Sequence, residues 1–258
     1  DLPLSYSSQF WRSLNLGTYE LFLGLCLTGG VPKYLEELAV KTNWLNLLQQ
    51  QCFTKNGFFV QEFDRVFSDI FGRKSKSYLK IVEALSTKSI SAKSIAKQIK
   101  RPLNGKLTQA LNGLCLSGYL SKERAFHFDG KPTDKVTYRL KDNFLRFYLR
   151  LILPKKDLIE KGRYKVSNFE TLPEWPTFRG HQFENLIYSS LDQVFALLEI
   201  PQERVVFASP YAQKKNSKIK VGCQIDLLIY TKPSTYYVVE FKSGALTSSL
   251  ANEMKLKL

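Results

Sequence analysis

Histidine, paired cysteines and long apolar runs are what this sequence lacks. The four cysteines, Cys26, Cys52, Cys115 and Cys223, lie far apart with no CxxC pair. That spacing argues against a disulfide framework and against a paired-thiolate zinc site. The thiols read as buried, reduced cysteines of a cytoplasmic protein. Only two histidines are present, His127 and His181, and neither sits beside a recognisable nucleophile. This argues against Ser-His-Asp or Cys-His catalysis. No apolar stretch approaches the ~20 residues needed to cross a bilayer. The run Leu21–Val31 is broken by Gly24, Gly29 and Gly30, and Phe144–Leu153 is broken by Arg146 and Arg150. No membrane partner is therefore expected. The opening Asp1-Leu2-Pro3-Leu4 has no Met, no basic segment and no apolar stretch, so a fragment of a longer protein is expected. There is also no GxxxxGK[ST] phosphate-cradling loop: Gly72-Arg73-Lys74-Ser75 fails the pattern.

What is present is ample apolar material and an uneven charge. Hydrophobic residues make up 44% and aromatics 13% of 258 residues, enough for packed cores in two or three domains. The formal net charge is +15, from 38 Lys and Arg against 23 Asp and Glu. Segment 1–74 holds 7 basic and 7 acidic residues, 75–165 holds 21 and 7, and 166–258 holds 10 and 9. Nearly all of the excess lies in the middle segment. A concentration of that kind points to a polyanion, and the cytoplasmic thiol pattern favours nucleic acid over a membrane face.

The first segment, 1–74, reads as helices. Leu21 and Leu25 lead to Gly29-Gly30, which ends one helix, and Pro32 suits the first turn of the next. Further helices are expected through Trp44–Leu48 and Phe63–Phe71. In the second, Ser77–Leu85 is one helix and Ser91–Ile99 another, capped by Ser91. Lys106–Ser117 is a third, with Leu107, Leu111 and Leu114 as its buried stripe and Gly118 as its stop. A strand then opens at Tyr119-Leu120 and runs to Phe128, Asp129–Pro132 turns, and Lys135–Leu140 returns. Three helices followed by a hairpin is the order of a winged helix. Its third helix would offer Lys106, Gln109 and Asn112 to a major groove, with phosphate contacts from Lys93, Lys97 and Lys100. The alternative is a winged helix used as a structural or protein-contact module. Lys141–Lys165 reads as a helical connector. In the third segment, 166–258, a helix runs from Gly180 to about Leu198. Val205–Phe207 is a short buried strand, Val221–Tyr230 and Tyr236–Lys242 are two more, and Ser249–Leu258 begins a helix.

Alternation puts Tyr236, Val238, Glu240 and Lys242 on one strand face. If Thr231 pairs with Thr235 around a three-residue loop, Asp226 falls opposite Glu240 on that face. The Cβ atoms would then be about 4.5–5.5 Å apart. Two such carboxylates within apolar strands are costly unless a divalent cation such as Mg2+ or Mn2+ offsets them. That leaves Lys242 to stabilise developing charge or position a water, with Glu184 as a third acid on the upstream helix. The plainer alternative is a same-face Glu240–Lys242 ion pair, with Asp226 merely accepting backbone hydrogen bonds.

Glu184, Gln224-Ile225-Asp226 and Val238-Val239-Glu240-Phe241-Lys242 together resemble the PD-(D/E)xK nuclease superfamily. There the core helix carries an acid, the second strand the Asp and the third strand the (D/E)xK. The order of the whole chain is similar to the C-terminal part of archaeal-type prokaryotic AAA+ ATPases, in which Gly-Gly-x-Pro-x-Tyr-Leu, here Gly29–Leu35, belongs to lid helices. The resemblance implies lid helices, a winged helix and an α/β nuclease-like domain, in a fold of mixed α and β class. As catalytic residues it implies Asp226, Glu240, Lys242 and Glu184, with Asp226, Glu240 and Glu184 as metal ligands. The cofactor would be Mg2+ or Mn2+, and the partners would be DNA, an ATPase core and further subunits. ATP would belong only to the parent protein. That superfamily's core continues with another helix and strand, so the domain is expected to be truncated at its C-terminal end. A non-enzymatic regulatory module on a nuclease-like fold is the other reading.

Overall fold

The computed structural model describes residues 2–40, 43–72, 75–127, 129–166, 168–213 and 222–243. The chain is mixed α/β, with two small antiparallel sheets. It divides into two compact units, one of 1–121 with 138–189 and the other of 122–137 with 190–258.

The first unit begins with a run of helices: α1 (Leu4–Ser7), α2 (Thr18–Thr28), α3 (Pro32–Glu37), α4 (Trp44–Phe53) and α5 (Phe58–Phe71). Pro32 occupies the first turn of α3, where its missing N–H costs nothing. Two tryptophans organise this part. Trp11 and Trp44 meet edge to face, with centroids 5.6 Å apart. Their indole N–H groups donate to Leu35 O at 2.8 Å and Leu38 O at 3.0 Å, so both rings are buried with their polar atoms satisfied.

Next come α6 (Ser75–Leu85), α7 (Ala92–Gln98), α8 (Gly105–Leu116) and the hairpin strands β1 (Leu120–Phe126) and β2 (Pro132–Leu140). The caps explain the helix starts. Ser91 Oγ accepts from Ser94 N at 3.2 Å, and Asn104 Oδ1 accepts from Leu107 N at 3.1 Å. Leu107, Leu111 and Leu114 are buried, as their spacing requires. Phe128, where the first strand was expected to end, lies outside the described residues.

The segment expected to be a connector is core. Residues 143–149 form an unbroken buried run through α9 (Asn143–Phe147) into a π-helical turn, Tyr148–Ile152. Tyr148 stacks on Phe63 at 3.9 Å, and Phe144 packs against Tyr34 at 4.7 Å. α10 (Lys156–Glu160) and α11 (Trp175–Tyr188) complete the unit.

The second unit holds α12 (Leu191–Leu197) and a sheet of order β3-β4-β5: β3 (Val205–Gln213), β4 (Cys223–Thr231) and β5 (Thr235–Val239). The helix expected to reach Leu198 is therefore broken at 189–190. The final strand stops before Glu240. Val221, the helix expected at Ser249–Leu258 and the truncated end all lie outside the described residues. The cysteines are mixed in exposure. Cys26 and Cys52 are buried, and burial pushes both thiols well up, but Cys115 is only half-buried and Cys223 is exposed. Nothing in the spacing of the four cysteines marks that difference.

Gly24 sets a packing limit in α2. A Cβ there would lie 2.6 Å from Trp11 Cη2 and 2.8 Å from Trp44 Cη2. Alanine is the better helix former by about 1 kcal/mol, but overpacking a filled core costs about 1–3 kcal/mol. Gly24→Ala should therefore lower stability by up to about 2 kcal/mol, read from the denaturant midpoint. A midpoint at or above wild type would show that the tryptophans yield freely.

Candidate functional site

The β4–β5 hairpin pairs Thr231 with Thr235, Ile229 with Tyr237 and Leu227 with Val239. This is the register expected from the sequence. One step further it sets Asp226 opposite Glu240, just past the last ladder pair. There the backbone leaves the strand, and Phe241 N donates to Asp226 Oδ2 at 2.8 Å. The Glu240 carboxylate stands near enough to Asp226 to raise the cost of its charge. Lys242 Nζ lies 3.0 Å from Glu240 Oε1, with the two side chains 31% and 23% exposed. Asp226, Glu240 and Lys242 are thus brought together, half-screened from water.

The Asp226 carboxyl is held above its ordinary range. Burial is the largest cause, the Phe241 N–H opposes it, and the Glu240 charge adds to it. The alternative arrangement is also present, since the Glu240–Lys242 ion pair and the backbone bond to Asp226 both exist. Two carboxylates suit a hard cation such as Mg2+, which takes one or two of them and keeps waters for its remaining positions. Among the described residues, no group of three or more His, Cys, Asp and Glu side chains could hold a metal.

Glu184 belongs to the first unit, on α11. The charge it meets there is Arg146, which is buried and whose pKa is pushed down to about 9 by burial first and Arg139 next, with Glu184 opposing. Around Arg146 is a buried polar set that the sequence reading missed. Asn143 Nδ2 donates to Leu25 O at 3.2 Å, and Gln182 Nε2 donates to Asn143 O at 2.8 Å and to Cys26 O. Asn185 Nδ2 donates to Asn143 Oδ1 at 2.6 Å and to Lys141 O. His181 is pushed down to about 4 by burial, then by Arg146 and Arg150, so it stays neutral near pH 7. One signal was available: Gln182 and Asn185 stand three apart on a helix, both facing inward.

No protein-family model and no solved structure matches the chain. An uncharacterized protein of Methanocaldococcus jannaschii, MJECL04, is 26% identical over 175 residues, covering 67% of this chain and 38% of that protein. The match thus spans well under half of the relative's length.

The other expected site is basic. Lys93, Lys97, Lys100, Lys106, Gln109 and Asn112 are all exposed on α7, α8 and the turn joining them. Among the described residues none of the four lysines has an ion-pair partner. Beside the start of α8 lies an open depression of ≈ 400 Å³ bordered by Ser77, Tyr78, Arg101, Lys106 and Gln109, with Arg101 Nη1 donating to Ser77 Oγ at 2.6 Å. Among the described residues no helix is long and apolar enough to cross a membrane.

Asp226 gives a pH-dependent stability with a definite sign. Its folded pKa is raised, so its contribution is fully present below the unfolded value near 3.8 and is lost as pH rises through the raised value. Asp226→Asn keeps an acceptor for Phe241 N and removes that loss. Its thermal midpoint should exceed that of wild type at pH 7, and the gap should close towards pH 4. An equal or lower midpoint at pH 7 would contradict the burial argument.

Proposed function

We propose that the chain is the DNA-binding, nuclease-like C-terminal portion of an AAA+-type ATPase. In this reading α2–α5 are lid helices, α6 to β2 form a winged helix on duplex DNA, and Asp226, Glu240 and Lys242 form a PD-(D/E)xK site for phosphodiester hydrolysis. ATP belongs to the parent protein's core. The observation that carries the reading is the meeting of two half-buried carboxylates and one ammonium at the end of the β4–β5 ladder. The exposed lysines on α7 and around it support the DNA partner.

Asp226 and Glu240 would hold Mg2+ or Mn2+, and the ion would supply Lewis-acid stabilisation of charge on the phosphoryl oxygens. The protein's own groups do the rest. Phe241 N–H fixes the direction of the Asp226 carboxylate. Lys242, once turned from Glu240, has its ammonium free to donate to a phosphate oxygen or to orient the attacking water. The second reading is a regulatory module that keeps the fold without chemistry. It is favoured by Lys242 resting on Glu240 and by the want of a third acid beside them among the described residues.

Calorimetric titration of Mg2+ or Mn2+ separates the two readings. Wild type should bind, Asp226→Ala should lose binding at least tenfold, and Lys242→Ala should bind normally but not cleave. No heat from wild type would leave the regulatory reading. For DNA, about five phosphate contacts give a slope of log K against log salt near −4.5. Replacing Lys93, Lys97 and Lys100 by Ala should flatten it by about 2–3 units, uniformly across sequences. A slope near zero for wild type would make the module structural.

A further inference from the structure

The depression beside the start of α8 is more than a patch of basic surface. It lies wholly within the first unit, where α6, the turn 99–104 and α8 meet. The buried part of its lining is apolar, Ile81 from α6 and Leu107 from α8. Tyr78 borders it half-buried, and a Cβ at Gly113 would lie 3.4 Å from the Tyr78 hydroxyl, so the side chain reaches along α8. The exposed border carries Arg101 and Lys106, and none of the described residues lining it is Asp or Glu.

Arg101 is set in place by the way α7 ends. Arg101 N donates to Ala96 O at 2.9 Å and Lys100 N to Lys97 O at 3.3 Å, the two bonds of a Schellman turn. Such a turn needs left-handed backbone, which glycine adopts most easily, and here Lys100 takes it with φ 54°. Arg101 is thereby brought to α6, where its Nη1 donates to Ser77 Oγ at 2.6 Å. That bond uses one of the five guanidinium donors and fixes the direction of the others.

A hollow of ≈ 400 Å³ has the size of a small-ligand pocket and is too small for a helix or a duplex. Its lining calls for one compact group, apolar on its body and anionic at its edge. A nucleotide has that chemistry. The faces of its base suit Tyr78, Ile81 and Leu107, and its phosphate suits Arg101 and Lys106. The exposed amides of Asn104 and Gln109 suit the polar edge of a base. A base inside a duplex is paired and stacked, so only one outside the stack can enter.

We propose that this depression takes one unpaired nucleotide of a DNA strand, so that the preferred partner is DNA with a base outside the stack rather than uniform duplex. This rests on the DNA-binding reading above. The exposed lysines on the neighbouring helices, Lys76 and Lys80 on α6 and Lys93 and Lys97 on α7, favour a nucleotide within a strand over a free one, because they suit the adjoining phosphates.

The test measures the affinity of the full chain, at one low salt concentration, for a perfect duplex, the same duplex with one extra unpaired deoxyadenosine, and the same duplex with an abasic sugar in place of that deoxyadenosine. Wild type should prefer the unpaired deoxyadenosine to the perfect duplex by about fivefold or more, and the abasic form should bind like the perfect duplex. Tyr78→Ala and Arg101→Ala should each shrink the preference. Ala110→Met, which fills the hollow without removing a polar group, should abolish it while still binding the perfect duplex as wild type does. Equal binding of the extra-base and abasic forms by wild type would overturn the proposal. So would a preference that survives in both Tyr78→Ala and Ala110→Met, or free deoxyadenosine monophosphate binding as tightly as the extra-base duplex. If the perfect duplex binds with steep salt dependence and no preference is seen, the role of the hollow alone falls. If none of the three DNAs binds, the DNA reading falls and takes the hollow's role with it.

Discussion

A guanidinium buried away from water needs acceptors around it, and in the first unit much follows from how Arg146 finds them at its two Nη atoms, its Nε having none among the described residues. Its Nη2 donates to Leu140 O at 2.5 Å and its Nη1 to His181 O at 3.0 Å, so the end of β2 and the middle of α11 are held by one side chain. The amides beside it meet a second demand. Leu25 and Cys26 lie in the last turn of α2, where carbonyls run out of partners within the helix; Leu25 O still accepts from Gly29 N at 2.9 Å. Asn143 and Gln182 donate to them. The helix end is therefore met by side chains from α9 and α11. Removing the Gln182 amide would take from the buried Cys26 carbonyl its side-chain donor, a heavier loss than the bond itself.

That network also explains why α11 is polar where a helix of its length would ordinarily bury an apolar stripe. Gln182 and Asn185 take inward positions alongside Phe178 and Leu186. Glu184 stands on the same helix, beside the charge of Arg146. An acid at that position is explained by the guanidinium alone. Its place in a motif with Asp226 and Glu240 comes from the resemblance, and its local electrostatics supply an independent structural reason for it.

Local rules made much of this legible. Ser91, the leucine stripe of α8 and the Thr231–Thr235 turn each declare their structure within a dozen residues, and alternation then carries Asp226 and Glu240 to one face. The segment 141–165 misled because apolar residues fill nearly every position from Phe144 to Ile152, leaving no polar face to mark a surface helix. Arg146 and Arg150 looked like interruptions, whereas Arg146 is the centre of a buried network. β5 is shorter than alternation implies because Asp226 takes the Phe241 N–H that a ladder bond would otherwise use. The stacking of Phe126 on Phe207 joins residues far apart in sequence, and no spacing rule reaches that far.

The carboxylate pair carries a further argument about why it exists. Glu240 with Lys242 is already a complete ion pair, and a structural role needs no second acid. Asp226 adds a carboxyl that burial holds in its protonated form more firmly than water would, so ionising it near neutral pH works against the fold. Its structural duty, accepting one backbone N–H, is within reach of an asparagine or a serine. Under the proposed site, that is why an aspartate rather than an asparagine would stand in this apolar strand. With both acids ionised, the two carboxylates and one ammonium would carry a single net negative charge. A divalent cation between the acids would turn that into a net positive charge, the sign that a phosphodiester meets favourably.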